Sequence, residues 1–386
     1  MVTLQTADSA LKTFYLGAIA REIDDKASAF LSQIEKTSMN VVGKSVTKVI
    51  KTGIHGGIGA GSETGDLPKG DGGDVITLHA PLKNLYGTIE ISDKAIRASA
   101  NDEGAFVNLL NEEMQSLVKS AKYNFGRMLF GDGNGKLAQV TLAHEHNRMC
   151  VSTVSGIEQG MYVDIYDSGE VIAKKAKVLD VDKASRQIVL GDVDWGNSVP
   201  SNLAEIYLHG AEDGYELTGL GALFSEENIY GVDRLKEYMR PYAYSCSDPF
   251  ELRMLDEAID YVEERSGSKV NFMLCTWAVK RAILQKAREN NVQIGMTTIG
   301  DNTRVPTYNG IPIVVDRFCP DNSLYLLNTN DFKICQLCDW QWMEGEDGKI
   351  LKQVPGKPVY TATLVKYAEL ICEKPFGQAI ITDIHE

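Results

Sequence analysis

Between Asp102 and Phe130 the apolar residues Phe106, Leu110, Met114, Leu117, Ala121, Phe125 and Met128 recur in steps of four, four, three, four, four and three. The mean step of about 3.7 matches the helical period and gathers these side chains on one face. Asn101 or Asp102 can cap the start and Gly131 the end. The pattern predicts a rod about 43 Å long at 1.5 Å per residue. A looser helical spacing through Leu11, Phe14 or Tyr15, Ala18, Ile23, Ala27, Phe30 or Leu31, and Ile34 predicts an amphipathic helix or two over 9–34.

Elsewhere the period shortens to two. SVTKVIKTG and VITLHAPLKNLYGTIEIS are rich in β-branched residues, and Val75–Leu78 and Gly87–Ile91 predict strand. Between these runs lies GIHGGIGAGSETGDLPKGDGGD, Gly53–Asp74, in which nine of 22 residues are glycine. Strand, glycine-rich tip and strand make an extended hairpin. Residues 140–210 hold short strand candidates (MCVSTV, GMYVDIY, EVIAKKAKVLDVD, RQIVL, AEIYLHG) separated by Gly, Asp, Ser and Asn, which predicts a small barrel or sandwich. Helices and strands alternate from about 215 to 340. A helix is expected to start near Asp248 with Pro249 at its first position. KVNFMLC, IPIVVD and SLYLLNT are expected strands, and TWAVKRAILQKAREN a helix. The remainder, through YTATLVKYAELICEKPFGQAIITDI, is strand-rich.

Composition narrows the picture. The 386 residues are 44% apolar, enough for two or three domains with sizeable cores. No run of about 18 apolar residues predicts a membrane span, and the N-terminus lacks the basic and apolar blocks of a secretory signal. The seven cysteines are odd in number and scattered, so reduced thiols in a cytosolic compartment are expected. The formal charge is −14. Residues 1–51 hold seven basic and five acidic residues; the remainder holds 32 and 48. An acidic body disfavours tight general binding to nucleic acid, which needs clustered Lys and Arg, but it suits a wall that must not stick to packed DNA.

The short motifs carry no chemistry. Val42-Gly43-Lys44-Ser45 ends like a P-loop, but Ser38 stands where the first glycine is required. Gly57-Ile58-Gly59-Ala60-Gly61 runs into Asp66-Leu67-Pro68, whereas a dinucleotide loop must run into a helix. Cys335 and Cys338 form a lone CxxC on an expected strand, with no second pair to complete a zinc site. His144-Glu145-His146 lacks a third ligand. Gly131–Gly135 has the flavour of a calcium loop, but Ala143 falls where the bidentate glutamate belongs. No catalytic, cofactor-binding or metal residues are assigned, and no enzyme is expected.

The order of elements, with YNFGRMLFGDGNGK (123–136), LTGLGALFSEENIYGVDRLKEY (217–238), KVNFMLCTWAVKRAILQK (269–286) and YNGIPIVVD (308–316), resembles the major capsid protein of tailed bacteriophages, the Hong Kong 97 fold family. The resemblance implies an α+β chain with an N-terminal arm (1–45) and an extended loop (46–92). A peripheral domain with the spine helix (93–138) would follow, then an inserted all-β domain (139–214), an axial α/β domain (215–340) and C-terminal strands returning to the peripheral domain (341–386). It implies pentamers and hexamers closing into an icosahedral head around double-stranded DNA, assembled in the host cytoplasm, with a separate scaffolding protein and a portal as partners and no membrane. The loop would be the assembly element, with Gly53, Gly57, Gly59, Gly61, Lys69 and Asp71 at its tip. Lys69 is also the candidate for a Lys–Asn crosslink of the kind some members form. Alternatives left open are an encapsulin-like compartment, a multidomain enzyme with an unrecognised site, and a carbohydrate- or protein-binding module centred on 139–214.

Overall fold

The computed structural model describes residues 28–385 except 54, 56, 67–69, 71, 72, 96–102, 146, 192, 194, 196–199, 212, 213, 300–302, 346 and 347, with backbone alone at 103–111 and 143–145. Most of the helix expected over 9–34 lies outside the described residues; its described end is a 3-10 turn, Leu31–Gln33. There Phe30, fully buried, meets Phe332 edge-on at 5.1 Å.

Five strands follow. β1 (Glu35–Thr37) pairs in parallel with residues 333–335. β2 (Val41–Val42), β3 (Ser45–Lys51) and β4 (Val75–Pro81) form a three-stranded antiparallel sheet. β5 (Lys83–Ser92) departs from the expected loop 46–92. It leaves the hairpin and pairs along its whole length with residues 359–368. The cause is burial: Leu85, Ile89 and Ile91 alternate into the main core.

The rod helix is present as α1 (Glu103–Met128), about 39 Å long. Its buried stripe includes Met114, Leu117, Val118 and Phe125; Phe106 and Leu110 lie where only backbone is described. It packs closely on β5 because position 87 is glycine: a Cβ there would sit 2.8 Å from Leu117 Cδ1.

β6 (Lys136–Glu145), β7 (Arg148–Val151), β8 (Tyr162–Asp167), β9 (Glu170–Asp182), β10 (Gln187–Leu190) and β11 (Glu205–Leu208) close into a barrel in the order β10-β7-β6-β11-β8-β9. It begins three residues before the expected boundary at 139. Its interior, including Val140, Met149, Val163, Ile165, Val178, Ile188 and Ile206, is a hydrophobic cluster of its own.

After α2 (Leu220–Leu223) come β12 (Tyr242–Ser245), α3 (Leu252–Ser266), β13 (Phe272–Cys275), α4 (Trp277–Glu289), β14 (Gly295–Ile299), β15 (Thr303–Tyr308), β16 (Ile311–Val315) and β17 (Leu324–Leu327). α3 starts after Glu251 rather than near Asp248: Glu251 is extended, and Phe250 just before it is buried in the core. Gly267, at φ 63°, ends it, and the Thr276 hydroxyl caps α4 by accepting from Val279 N at 3.4 Å. The β14–β15 hairpin was not anticipated.

Four strands complete the chain: β18 (Phe332–Trp342), β19 (Lys352–Gln353), β20 (Val359–Cys372) and β21 (Ala379–Thr382). β1, β18, β19, β20 and β5 make one sheet. β21 instead crosses to a seven-stranded sheet ordered β12-β21-β17-β13-β16-β15-β14, so residues 341–386 do not all return to the sheet that carries α1. Strand alternation divides the seven-stranded sheet. Met273, Leu324, Leu326 and Ala379 face α3 and α4, while Phe272, Leu274, Tyr325 and Leu327 face the main core.

Candidate assembly surfaces

The β3–β4 register runs from Ser45–Pro81 to Lys51–Val75. Because side chains alternate, the hairpin has two unlike faces. Inward, Val46, Leu78 and Ala80 are buried in the main core, with Ile50 and Ile76 packed on it. The inward anchor is reinforced by an ion pair between Lys48 and Glu373 and by His79 N donating to Tyr230 O at 2.9 Å. Outward lie Thr47, Val49, Thr77, His79 and Val75, with Thr47 Oγ1 3.2 Å from His79 Nδ1. Val49 is 60% and Val75 57% exposed. A β-branched strip of this kind fits a pleated surface with a partner better than it fits water.

The hairpin closes where Thr52 N donates to Asp74 O at 2.9 Å. Beyond this neck begins the glycine-rich loop. Gly53 belongs to the neck itself: a Cβ there would lie 3.2 Å from Asp74 N. At Gly57 a Cβ would lie 3.1 Å from Gly70 Cα and closer still to the His55 ring, so the missing side chain at 57 eases the close approach of two turns of the loop. Gly61 has room for a side chain and Gly59 is exposed. Lys69 and Asp71 lie outside the described residues.

The second surface is the barrel and its attachment, and here sequence reading missed the decisive residues. The chain enters the barrel after α1 and returns beside the same helix end. Arg127 and Glu216, both buried and 89 residues apart, form a two-pronged ion pair across the entry and return segments, with Nη1 to Oε2 at 2.9 Å. Leu220 N donates to Leu129 O at 2.8 Å. Gly219 and Gly221 permit this approach: a Cβ at 219 would stand 2.4 Å from Met128 O, and one at 221 2.9 Å from the Gly131 carbonyl. Glu369, fully buried on β20, accepts from Thr218 N at 2.8 Å and Thr218 Oγ1 at 3.2 Å. Burial pushes its carboxyl up to about 7, against those hydrogen bonds and the charge of Lys83. On the flank of the barrel, Arg186–Asp321 at 3.0 Å and Arg317–Glu158 tie it to the loop after β16.

The remaining motifs resolve into structure. Gly43, at φ 62°, makes the turn between β2 and β3, and no helix follows it. Cys335 is buried and its thiol is pushed up to about 11 by burial, so it is a poor nucleophile. Asp132 Oδ1 accepts from Asn134 N at 2.9 Å in a tight turn after α1. Among the described residues no group of three or more His, Cys, Asp or Glu is placed to hold a metal ion. No described helix is long and apolar enough to cross a membrane.

No family model and no curated protein matches the chain. Solved structures do. A chain of the cyanophage A-1(L) capsid superposes at TM-score 0.54 with 10% identity, covering 92% of this chain and 91% of its own. The capsid of the native GTA particle gives TM-score 0.47 at 11% identity, covering 92% and 90%. The holo-SrpI encapsulin complex from Synechococcus elongatus gives 0.46 at 9% identity, covering 81% and 78%. The chain has the mixed α and β fold of a phage capsid subunit.

Proposed function

We propose that this chain is the major shell protein of a phage head, assembling as pentamers and hexamers around double-stranded DNA. The observation that carries the reading is the near full-length superposition on the cyanophage capsid chain. The hairpin gives it a physical basis. The sheet buries its inner face in the main core and leaves its β-branched outer face in water, and the strip Val49, Thr77 and Val75 is the face a neighbouring subunit would cover. On this reading the sheet carrying α1 is the peripheral domain, the seven-stranded sheet the axial domain, and the barrel an insertion on the outer surface. Many modest hairpin contacts, repeated around a closed shell, reinforce one another through multivalency. The −14 charge keeps the wall from adhering to its DNA. The test is to express the chain alone and with its neighbouring genes, and to examine the soluble fraction by size-exclusion chromatography and negative-stain electron microscopy. Shells or rings of five and six subunits are expected. Small compact oligomers in both preparations would overturn the reading.

A further inference from the structure

We propose that the glycine-rich loop of one subunit docks, by its acidic residues and Ile58, in the cleft between α1 and the barrel of a neighbouring copy. This rests on the reading that the hairpin lies on a neighbour and assigns the site it reaches.

The loop has the composition of an insert. Gly53–Asp74 holds Glu63, Asp66, Asp71 and Asp74 against Lys69 and His55. Glu63 and Asp66 are exposed. Ile58 is 85% exposed, more than any other large apolar side chain among the described residues. Glycines on both sides let the bare backbone enter a narrow space.

The cleft is complementary in charge and in apolar surface. Its volume is about 970 Å³. Lys119 and Lys122 line it from α1 and Arg317 from the loop after β16, against the single carboxylate of Glu158, a local balance of +2 in a chain of −14. Lys119 is exposed and has no ion-pair partner among the described residues. Tyr123, Phe318 and Met161 supply an apolar floor, with Tyr123 and Phe318 edge-on at 5.1 Å. A neighbouring cleft beside Trp277 is also basic, but its Lys183, Arg186 and Arg317 are each already paired with Glu158 or Asp321. Of these two clefts, the one beside α1 offers in Lys119 a cation without an ion-pair partner among the described residues, and complementary charge of this kind fixes register and partner choice.

The experiment is a charge swap in the full chain. Lys119→Glu with Lys122→Glu should lower the yield of closed particles by about tenfold or more, as should Ile58→Asp, while the subunit's thermal melt stays unchanged. Adding Glu63→Lys and Asp66→Lys to the doubly reversed chain should restore assembly. Wild-type yield from either the lysine reversal or Ile58→Asp, or failure of the swap to rescue a subunit that still melts normally, overturns the docking site. Deletion of Gly57–Gly70 separates the two levels. If that deletion assembles normally, the hairpin reading itself fails. If it blocks assembly while the lysine reversal does not, only this docking site fails.

Discussion

The barrel and the hairpin are both antiparallel β-structure on the same body, and they solve the problem of unpaired surface in opposite ways. The barrel closes six strands on themselves, leaves no sheet edge, and fills its interior with a core that shares no residue with the rest of the molecule. The hairpin has three strands, buries one face on the body and leaves Val49 and Val75 in water. The barrel is complete and needs only attachment. The hairpin is incomplete in the isolated subunit, which is the property expected of an element whose partner is another copy.

The sharpest way to break this contrast is to remove the loop. Deleting Gly57–Gly70 should leave a folded subunit by circular dichroism that forms no shells in negative stain; normal particles would show that the hairpin is not the assembly element. Next is the attachment of the barrel. Arg127→Leu strands the buried Glu216 carboxylate, and urea unfolding should show a loss of about 3–5 kcal/mol. A fragment spanning residues 134–211 should nonetheless melt cooperatively alone, and one spanning 45–81 should not; a barrel fragment without a cooperative melt would contradict its self-sufficiency.

A third effect reads the anchor of the return segment. Unfolded glutamate titrates near 4.5 and Glu369 in the folded chain near 7, so between those values the folded state holds the extra proton. The contribution of this group is therefore full below 4.5, falls by roughly 3 kcal/mol as pH rises to about 7, and is level above it. Glu369→Gln retains an acceptor for Thr218 and should be the more stable chain at pH 8, with the difference from wild type vanishing near pH 4. A difference independent of pH would place the titration elsewhere. The smallest effect is where the return segment meets the end of α1. Gly221→Ala forces a methyl against the Gly131 carbonyl and should cost about 1–3 kcal/mol in the same unfolding measurement.

What the sequence made legible was periodic. The stripe from Met114 to Phe125 announced α1, and the run TWAVKRAILQKAREN was legible as the helix α4, because both signals are local. The hairpin was legible from its glycines, but β5 was assigned to it wrongly, since nothing within residues 83–92 states that their partner lies at 359–368. Arg127 and Glu216 are ordinary residues in sequence, and only the fold joins them across 89 positions. Gly219 and Gly221 lay inside a stretch marked by resemblance, yet their reason, contact with the end of α1, is visible only in three dimensions. Of the assembly residues expected at the loop tip, Gly53 and Gly57 have close steric contacts in the fold, Gly61 has room for a side chain, and Gly59 is exposed.

If a neighbouring copy covers the outward face of the hairpin, position 49 is open in the free subunit and shielded in the particle. Val49→Cys, labelled with a maleimide and localised by mass spectrometry, tests it directly. Rapid labelling at position 49 is expected in the free subunit, and protection in assembled particles. Equal labelling in both states would contradict it.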